Sequence, residues 1–140
     1  MDKIIRALNL SRKTKNVFMG SINNENDMPN IKAMIVAKRV GLKTYYFISN
    51  HSAIRTKQFM HNNKACLFFN GGLVYKGLLL EGTIEILKDM ENKKLFWKNK
   101  MKKIFKNGGI NDPEYCVLKF TAESGRYYYK NAIEIIELVK

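Results

Sequence analysis

The chain has 140 residues, of which 46% are hydrophobic and 26% charged. That suits a single domain (residues 1–140) that can bury a core without a disulfide or metal staple, and it argues against wholesale disorder. No apolar stretch approaches the roughly 20 residues that span a bilayer. The N-terminus also lacks the charge-free apolar block of a secretory signal, so a cytoplasmic protein is expected. Lys and Arg number 25 against 12 Asp and Glu, a formal charge of +13. Such an excess suits an anionic partner: nucleic acid, an anionic membrane, or an anionic cofactor or substrate. It also has a bland source. Twenty of the basic residues are Lys, and Asn and Ile are abundant as well. A/T-rich codons encode all three.

In chain order, residues 2–8 read as a short amphipathic helix, with Asp2 as its cap and Ile4, Ile5 and Leu8 on one face. Residues 16–22 read as a strand and 23–27 as a turn. Residues 31–37 predict a second strand, buried on both faces at its end. Gly41 marks a turn, and the aromatic and β-branched run 43–49 suits a pleated surface. Residues 52–62 read as a helix with Ser52 as N-cap. Residues 65–69 predict a buried strand and Gly71-Gly72 a turn. A long strand follows over 74–87, where Gly77 and Gly82 signal bulges or sharp bends. Residues 89–106 read as the longest helix, with Trp97, Met101, Ile104 and Phe105 at three- and four-residue spacing. Gly108-Gly109 ends it. Segments 115–121, 126–129 and 133–139 predict further strands. The order is mostly strand-turn-strand, without βαβ alternation. It predicts a mainly β fold, an antiparallel barrel or strongly curved sheet with peripheral α-helices.

The segment 45–58 carries the chemistry. A strand runs through Ser49 and Asn50 into a polar turn and then a helix. A helix start leaves N–H groups unpaired and favours anions. Ser49, Asn50 and Ser52 add donors, Arg55 in the first turn offers a fork that matches phosphate oxygens, and Lys57 follows. The bland alternative is an ordinary cap with a solvated cationic face. No glycine-rich loop is present, so nucleoside triphosphate binding is not indicated. His51 and His61 lack metal-ligand spacing, and no metal site is expected. Cys66 and Cys116 fall within apolar strand patterns and read as core thiols. The region 89–106 carries seven lysines. A basic amphipathic helix can meet nucleic acid or a membrane, but Lys runs without Arg are poor at bidentate base readout, and no RNA-binding aromatic motif is present.

The run 45–69 resembles the FMN-binding split-barrel family, the pyridoxamine-phosphate-oxidase-like proteins, with their aromatic-x-Ser/Thr-Asn turn, a Lys or Arg, a Gln and an Asn. Asn63 replaces the family's usual Pro. Segment 77–83 (GLLLEGT), followed by Trp97, and segment 112–120 (DPEYCVLKF) resemble further motifs of the short, general-stress-type branch. The resemblance covers nearly the whole chain. It implies a six-stranded antiparallel split β-barrel and a homodimer with FMN at its interface. It implies a phosphate or ribityl role for Ser49 and Asn50, beside Ile48, and phosphate pairing by Arg55, with Lys57 as a second cation. Lys32, Ala33 and Met34 would line the flavin ring, and Lys76 and Gly77 would reach it from the partner subunit. Ile54 stands where pyridoxamine phosphate oxidases have an Arg, and the chain lacks their C-terminal Arg-Leu segment, so that substrate is not implied. The resulting expectation is an FMN-dependent oxidoreductase with a small-molecule electron donor and acceptor. A non-catalytic flavin-binding or redox-sensing protein is the alternative, and a basic nucleic-acid-binding protein ranks behind both.

Overall fold

The computed structural model describes residues 2–72 and 75–138. The expected strand start at Val74 and strand end at Val139 lie outside them. The elements are α1 (Lys3–Lys13), β1 (Asn16–Ile22), β2 (Pro29–Ile35), β3 (Lys38–Val40), β4 (Thr44–Asn50), α2 (Ile54–His61), β5 (Lys64–Asn70), β6 (Gly77–Leu87), α3 (Met90–Phe96), β7 (Tyr115–Tyr129) and β8 (Ala132–Ile136). Two 3₁₀ turns, Asn99–Lys103 and Gly109–Asn111, lie between α3 and β7.

The strands form one antiparallel sheet in the order β2-β1-β5-β6-β7-β4-β3, with β8 also on β7. β2 runs directly into β3 at the opposite end of that order. The amide of Ala37 donates to Tyr46 O at 2.8 Å, and that of Val36 to Lys15 O at 3.2 Å. The sheet thus curls round into a split barrel. Eight strands are present rather than the six expected, because β3 is a three-residue pairing without a hydrophobic pattern and β8 is a short edge strand.

Alternation fills the interior. Val17 and Met19 of β1, Tyr45 and Phe47 of β4, Leu67 and Phe69 of β5, Leu78 and Leu80 of β6, and Leu118 and Phe120 of β7 are all buried. Tyr45 packs between Phe69 and Phe120, with ring centroids 5.4 and 6.2 Å away. Its hydroxyl lies 3.0 Å from Ser11 Oγ, which ties α1 to the barrel end, and burial pushes its pKa up to about 12. The face of α1 that docks is Ala7, Leu10 and Ser11. Ile4 and Ile5 are exposed, contrary to the expected face, because the helix continues to Lys13 and its contact residues lie one turn further on. β2 is also more exposed than expected, with Met34 its buried residue. It is the first strand of the sheet order and packs one side only.

Segments 115–121 and 126–129 prove to be one strand. β7 pairs with β6 over residues 117–128, while its other edge meets β4 over residues 115–121 and β8 over residues 125–129. The register against β6 shifts between Glu81 and Gly82, which face Ser124 and Ala122, so Glu123 is the extra residue. Even-numbered residues point inward before it (Leu118, Phe120, Ala122), whereas Gly125 and Tyr127 point inward after it. A period-2 pattern with such a phase slip reads as two strands. Gly82 is the bulge partner, as its place in the pattern predicted. A Cβ there would lie 2.0 Å from Thr121 O. Gly82→Ala should therefore force the β6–β7 backbones apart and lower stability by about 1–3 kcal/mol or more. Chemical denaturation checks this, and a variant as stable as the parent would contradict the close approach.

Candidate functional site

Strand β4 ends at Ser49-Asn50, where the chain leaves the sheet for α2. Ser49 is buried, and its Oγ lies 2.9 Å from Thr56 Oγ1, which in turn donates to Asn50 O at 2.8 Å. The Cys116 thiol donates to Ser49 O at 3.4 Å. These bonds fold the turn back on the first turn of α2. Ser52 is not the helix cap. Ala53 holds that position and makes no side-chain cap bond. Instead the amide and hydroxyl of Ser52 both donate to Glu114 Oε2, at 3.1 and 2.5 Å, and the amide of His51 donates to Glu114 O at 2.8 Å. Glu114 follows Asp112-Pro113. The buried Asp112 carboxylate accepts from the amides of Asn107 and Glu114, both at 2.9 Å. The start of β7 thus anchors the turn that begins α2, and it leaves the first amides of α2 without side-chain partners.

Arg55 sits in that first turn. Burial lowers its pKa from the ordinary guanidinium value, with the neighbouring Cys116 acting in the opposite sense. Its Nε is buried without a hydrogen-bond partner among the described residues, as are those of Arg6, Arg39 and Arg126. A desolvated guanidinium nitrogen without an acceptor is costly unless something supplies one.

The opposite wall departs from the expected long helix. Asp89 caps α3, accepting from the Asn92 amide at 3.0 Å, but α3 ends at Phe96 and Trp97 is extended. A 3₁₀ turn follows, within which the Lys98 amide donates to Met101 Sδ at 3.2 Å. The break lets Trp97 and Phe105 both reach Tyr115, at 5.4 and 5.0 Å between ring centroids. Met101, Phe105, Tyr115 and Val117 form a second core cluster, with Tyr46, Ile48 and Phe96 against it. The Tyr115 hydroxyl donates to Lys93 O at 2.8 Å, and burial pushes its pKa up to about 12. Lys93 is itself buried, its ammonium 5.6 Å from the Tyr115 ring centroid. Ile104, placed on the apolar stripe by its spacing, is 66% exposed.

Between this wall and the barrel lies a cavity of about 660 Å³, within the range of small-molecule and cofactor sites. Of the expected site residues, Lys32, Ala33, Met34, Ile48, Ser49, Asn50 and Arg55 line it; Lys57, Lys76 and Gly77 do not. Lys57 is exposed, two residues past Arg55 on α2 and so turned about 200° from it. Lys76 and Gly77 lie at the start of β6, where Gly77 pairs with Tyr128. The cavity also takes in Lys38 and a wall from Leu95 to Phe105, of which the motifs singled out only Trp97. The four-residue spacing of Trp97, Met101 and Phe105 is the sequence signal of this wall. The charged lining residues are Lys32, Lys38, Arg55, Lys98 and Lys100, with no Asp or Glu among them. Cys66 is only half-buried and, like the buried Cys116, has its pKa raised by burial, so neither thiol has the character of a nucleophile. Among the described residues, no helix is long and apolar enough to cross a membrane.

This split barrel, with a cation-lined cavity between one end of β4 and a peripheral helical wall, matches a known class of fold. The chain belongs to the pyridoxamine 5'-phosphate oxidase-like family, whose model matches residues 5–140. It is 37% identical to a Clostridium acetobutylicum protein related to general stress protein 26 of Bacillus subtilis. The two superpose with a TM-score of 0.84 over 99% of this chain and 97% of that one. General stress protein 26 of Bacillus anthracis is 16% identical with a TM-score of 0.75, covering 97% of this chain and 100% of that one. A NimC/NimA family protein of C. acetobutylicum is 22% identical with a TM-score of 0.67, covering 97% and 95%. No curated protein matches the chain significantly.

The Glu114 carboxyl, held below the usual carboxylate range first by the Ser52 hydroxyl and then by the Ser52 amide, gives a test of the anchored turn. A carboxyl with a depressed folded-state pKa adds stability that is fully present above the unfolded value and lost as pH falls through the folded one. Glu114→Gln should therefore be less stable than the parent at neutral pH, with the difference shrinking below about pH 4. Thermal melts across pH check this, and a gap that persists unchanged in acid would show that the Ser52–Glu114 contact is not its source.

Proposed function

We propose that this chain is an FMN-binding flavoprotein, an FMN-dependent oxidoreductase that acts on a small molecule. The observation that carries this reading is the cavity whose charged lining residues are all cations, with Arg55 among them at the start of α2. A phosphate offers oxygens to the Arg55 guanidinium fork and negative charge to the helix end. The residues present fit the group. Arg55 and the first amides of α2 would hold the phosphate, with Ser49 and Asn50 beside it. The backbone and side chains of Lys32, Ala33 and Met34 would flank the ring. The flavin supplies hydride and electron transfer, whereas the protein supplies binding, orientation and local charge. In this chain Arg55, Lys32 and Lys38 favour negative charge on the bound group. The apolar wall of Phe96, Trp97 and Met101 keeps water from the face it covers. No side chain is assigned as acid or base.

The partner we propose is a second copy. On the outward face of the sheet, Ala33, Phe18, Phe68, Leu79, Arg126 and Ile135 stand in one registered row across β2, β1, β5, β6, β7 and β8. Ile31, Ile35, Ile133 and Ile135 on the same face are all more than half exposed. A contiguous apolar face of this extent marks an interface. Ala33 and Ile35 also line the cavity, so a copy seated on this face would border the site. Lys76, which does not line its own cavity, would then be available to the partner's, whereas Gly77 is buried beneath Phe68.

Arg55→Ala should weaken FMN binding by about 1.5–3 kcal/mol, the scale of a charge-assisted hydrogen bond, or roughly ten- to a hundredfold in Kd. Lys102→Ala with Lys103→Ala should leave it unchanged. Titration of FMN fluorescence checks both, and unaltered affinity in the Arg55 variant would overturn the phosphate placement. Ile31→Lys with Ile135→Lys should turn a dimer into a monomer in sedimentation equilibrium. A parent chain that is already monomeric would overturn the proposed interface.

A further inference from the structure

The cavity holds more positive charge than one flavin phosphate can use. A phosphate carries about −1.5 to −2 at neutral pH, and Arg55 with the start of α2 faces it. Lys32 and Lys38 belong to the strand wall, where the ring would lie. Lys98 and Lys100 remain, on the opposite wall at the 3₁₀ turn. Both are exposed, and neither pairs with a carboxylate among the described residues. The side chains around them are apolar. Leu95 is 69% exposed and Ile104 66% exposed, and Phe96 and Trp97 complete that wall. Trp97 is held in place by Phe105 and Tyr115 rather than by anything across the cavity. Large apolar side chains left open to solvent on a concave wall, next to two unpaired ammonium groups, form an amphipathic surface. In a cleft whose charges all have one sign, the field concentrates ions of the opposite sign.

We propose that the small molecule taken up beside the flavin is an anion with a planar apolar body. Its body lies on Leu95, Trp97 and Ile104, and its negative group is held by Lys98 and Lys100. This rests on the flavin reading above and adds the substrate class to it. Neutral molecules of the same shape bind less well because they gain the apolar contact without the charge. The two lysines act as point charges on flexible stems, so they select for charge rather than for one fixed geometry of carboxylate, sulfonate or phosphate.

The test uses the FMN-loaded protein and two probes of near-identical shape, 4-nitrobenzoate and its neutral counterpart 4-nitrobenzamide. Equilibrium dialysis at low ionic strength should show the benzoate binding at least tenfold more tightly, with the preference shrinking as salt is raised. In the Lys98→Gln, Lys100→Gln double variant the two probes should bind within about threefold of each other. FMN affinity, measured separately by fluorescence titration, should be unchanged in that variant. Both substitutions are at exposed positions, and far-UV circular dichroism confirms that the fold is intact. Equal binding of the two probes to the parent, binding of neither, or a preference that survives in the double variant would each overturn this inference while leaving the flavin reading standing. A protein that does not bind FMN at all would overturn both.

Discussion

Strand β7 is the constraint on which the rest of the molecule depends. Its first half pairs with β4, its second half with β8, and its other edge with β6 over residues 117–128. One uninterrupted strand could not serve both halves with its apolar side chains inward, because the barrel bends between them. The extra residue at Glu123 resolves this by reversing which parity faces the core. Gly82 is required opposite the slip because the β7 backbone comes too close for a side chain. The bulge thus bends the sheet towards a barrel, and it lies just past Thr121, the partner of Thr44 at the start of β4.

The cavity follows from the same strand. Tyr115, its first residue, is fully buried and gathers Trp97, Phe105 and Lys93 around it. That cluster holds the segment 95–105 against the barrel as a wall rather than letting it extend as a solvated helix. One residue earlier, Glu114 ties down Ser52 and the amide of His51, which orients the start of α2. The two sides of the cavity, aromatic wall and helix end, are therefore fixed by consecutive residues of one turn. Arg55 projects between them with its Nε unsatisfied. Arg55 has no carboxylate partner among the described residues and faces a cavity whose charged lining is entirely cationic, which favours a ligand over a purely architectural role.

The positive charge is concentrated to effect at one place. Most of the lysines of segment 89–106 are on solvated surface, and one, Lys93, is buried over an aromatic ring. What matters is local. Five cations and no carboxylate line a single cavity, and it is that placement, rather than the total of +13, that points to an anionic ligand. The tertiary fold selects these five from across the chain, from β2, β3, α2 and the 3₁₀ turn, and no linear pattern marks them as a group.

By itself the sequence determined the strand-rich character, the turn at Ser49-Asn50, the close approach at Gly82 and the position of Arg55 at a helix start. These are local properties, legible in alternation, in a glycine within an apolar run and in residues a few positions apart. The tertiary structure alone decided that segments 115–121 and 126–129 are one strand, since a bulge is defined by its partner's register. It decided that Ser52 bonds to Glu114 rather than capping α2, since that carboxylate comes from 62 residues away. It also broke the lysine-rich segment after Phe96, although its periodicity was helical. Packing of Trp97 and Phe105 on Tyr115 outweighed helix propensity, which contributes only tenths of a kcal/mol per residue.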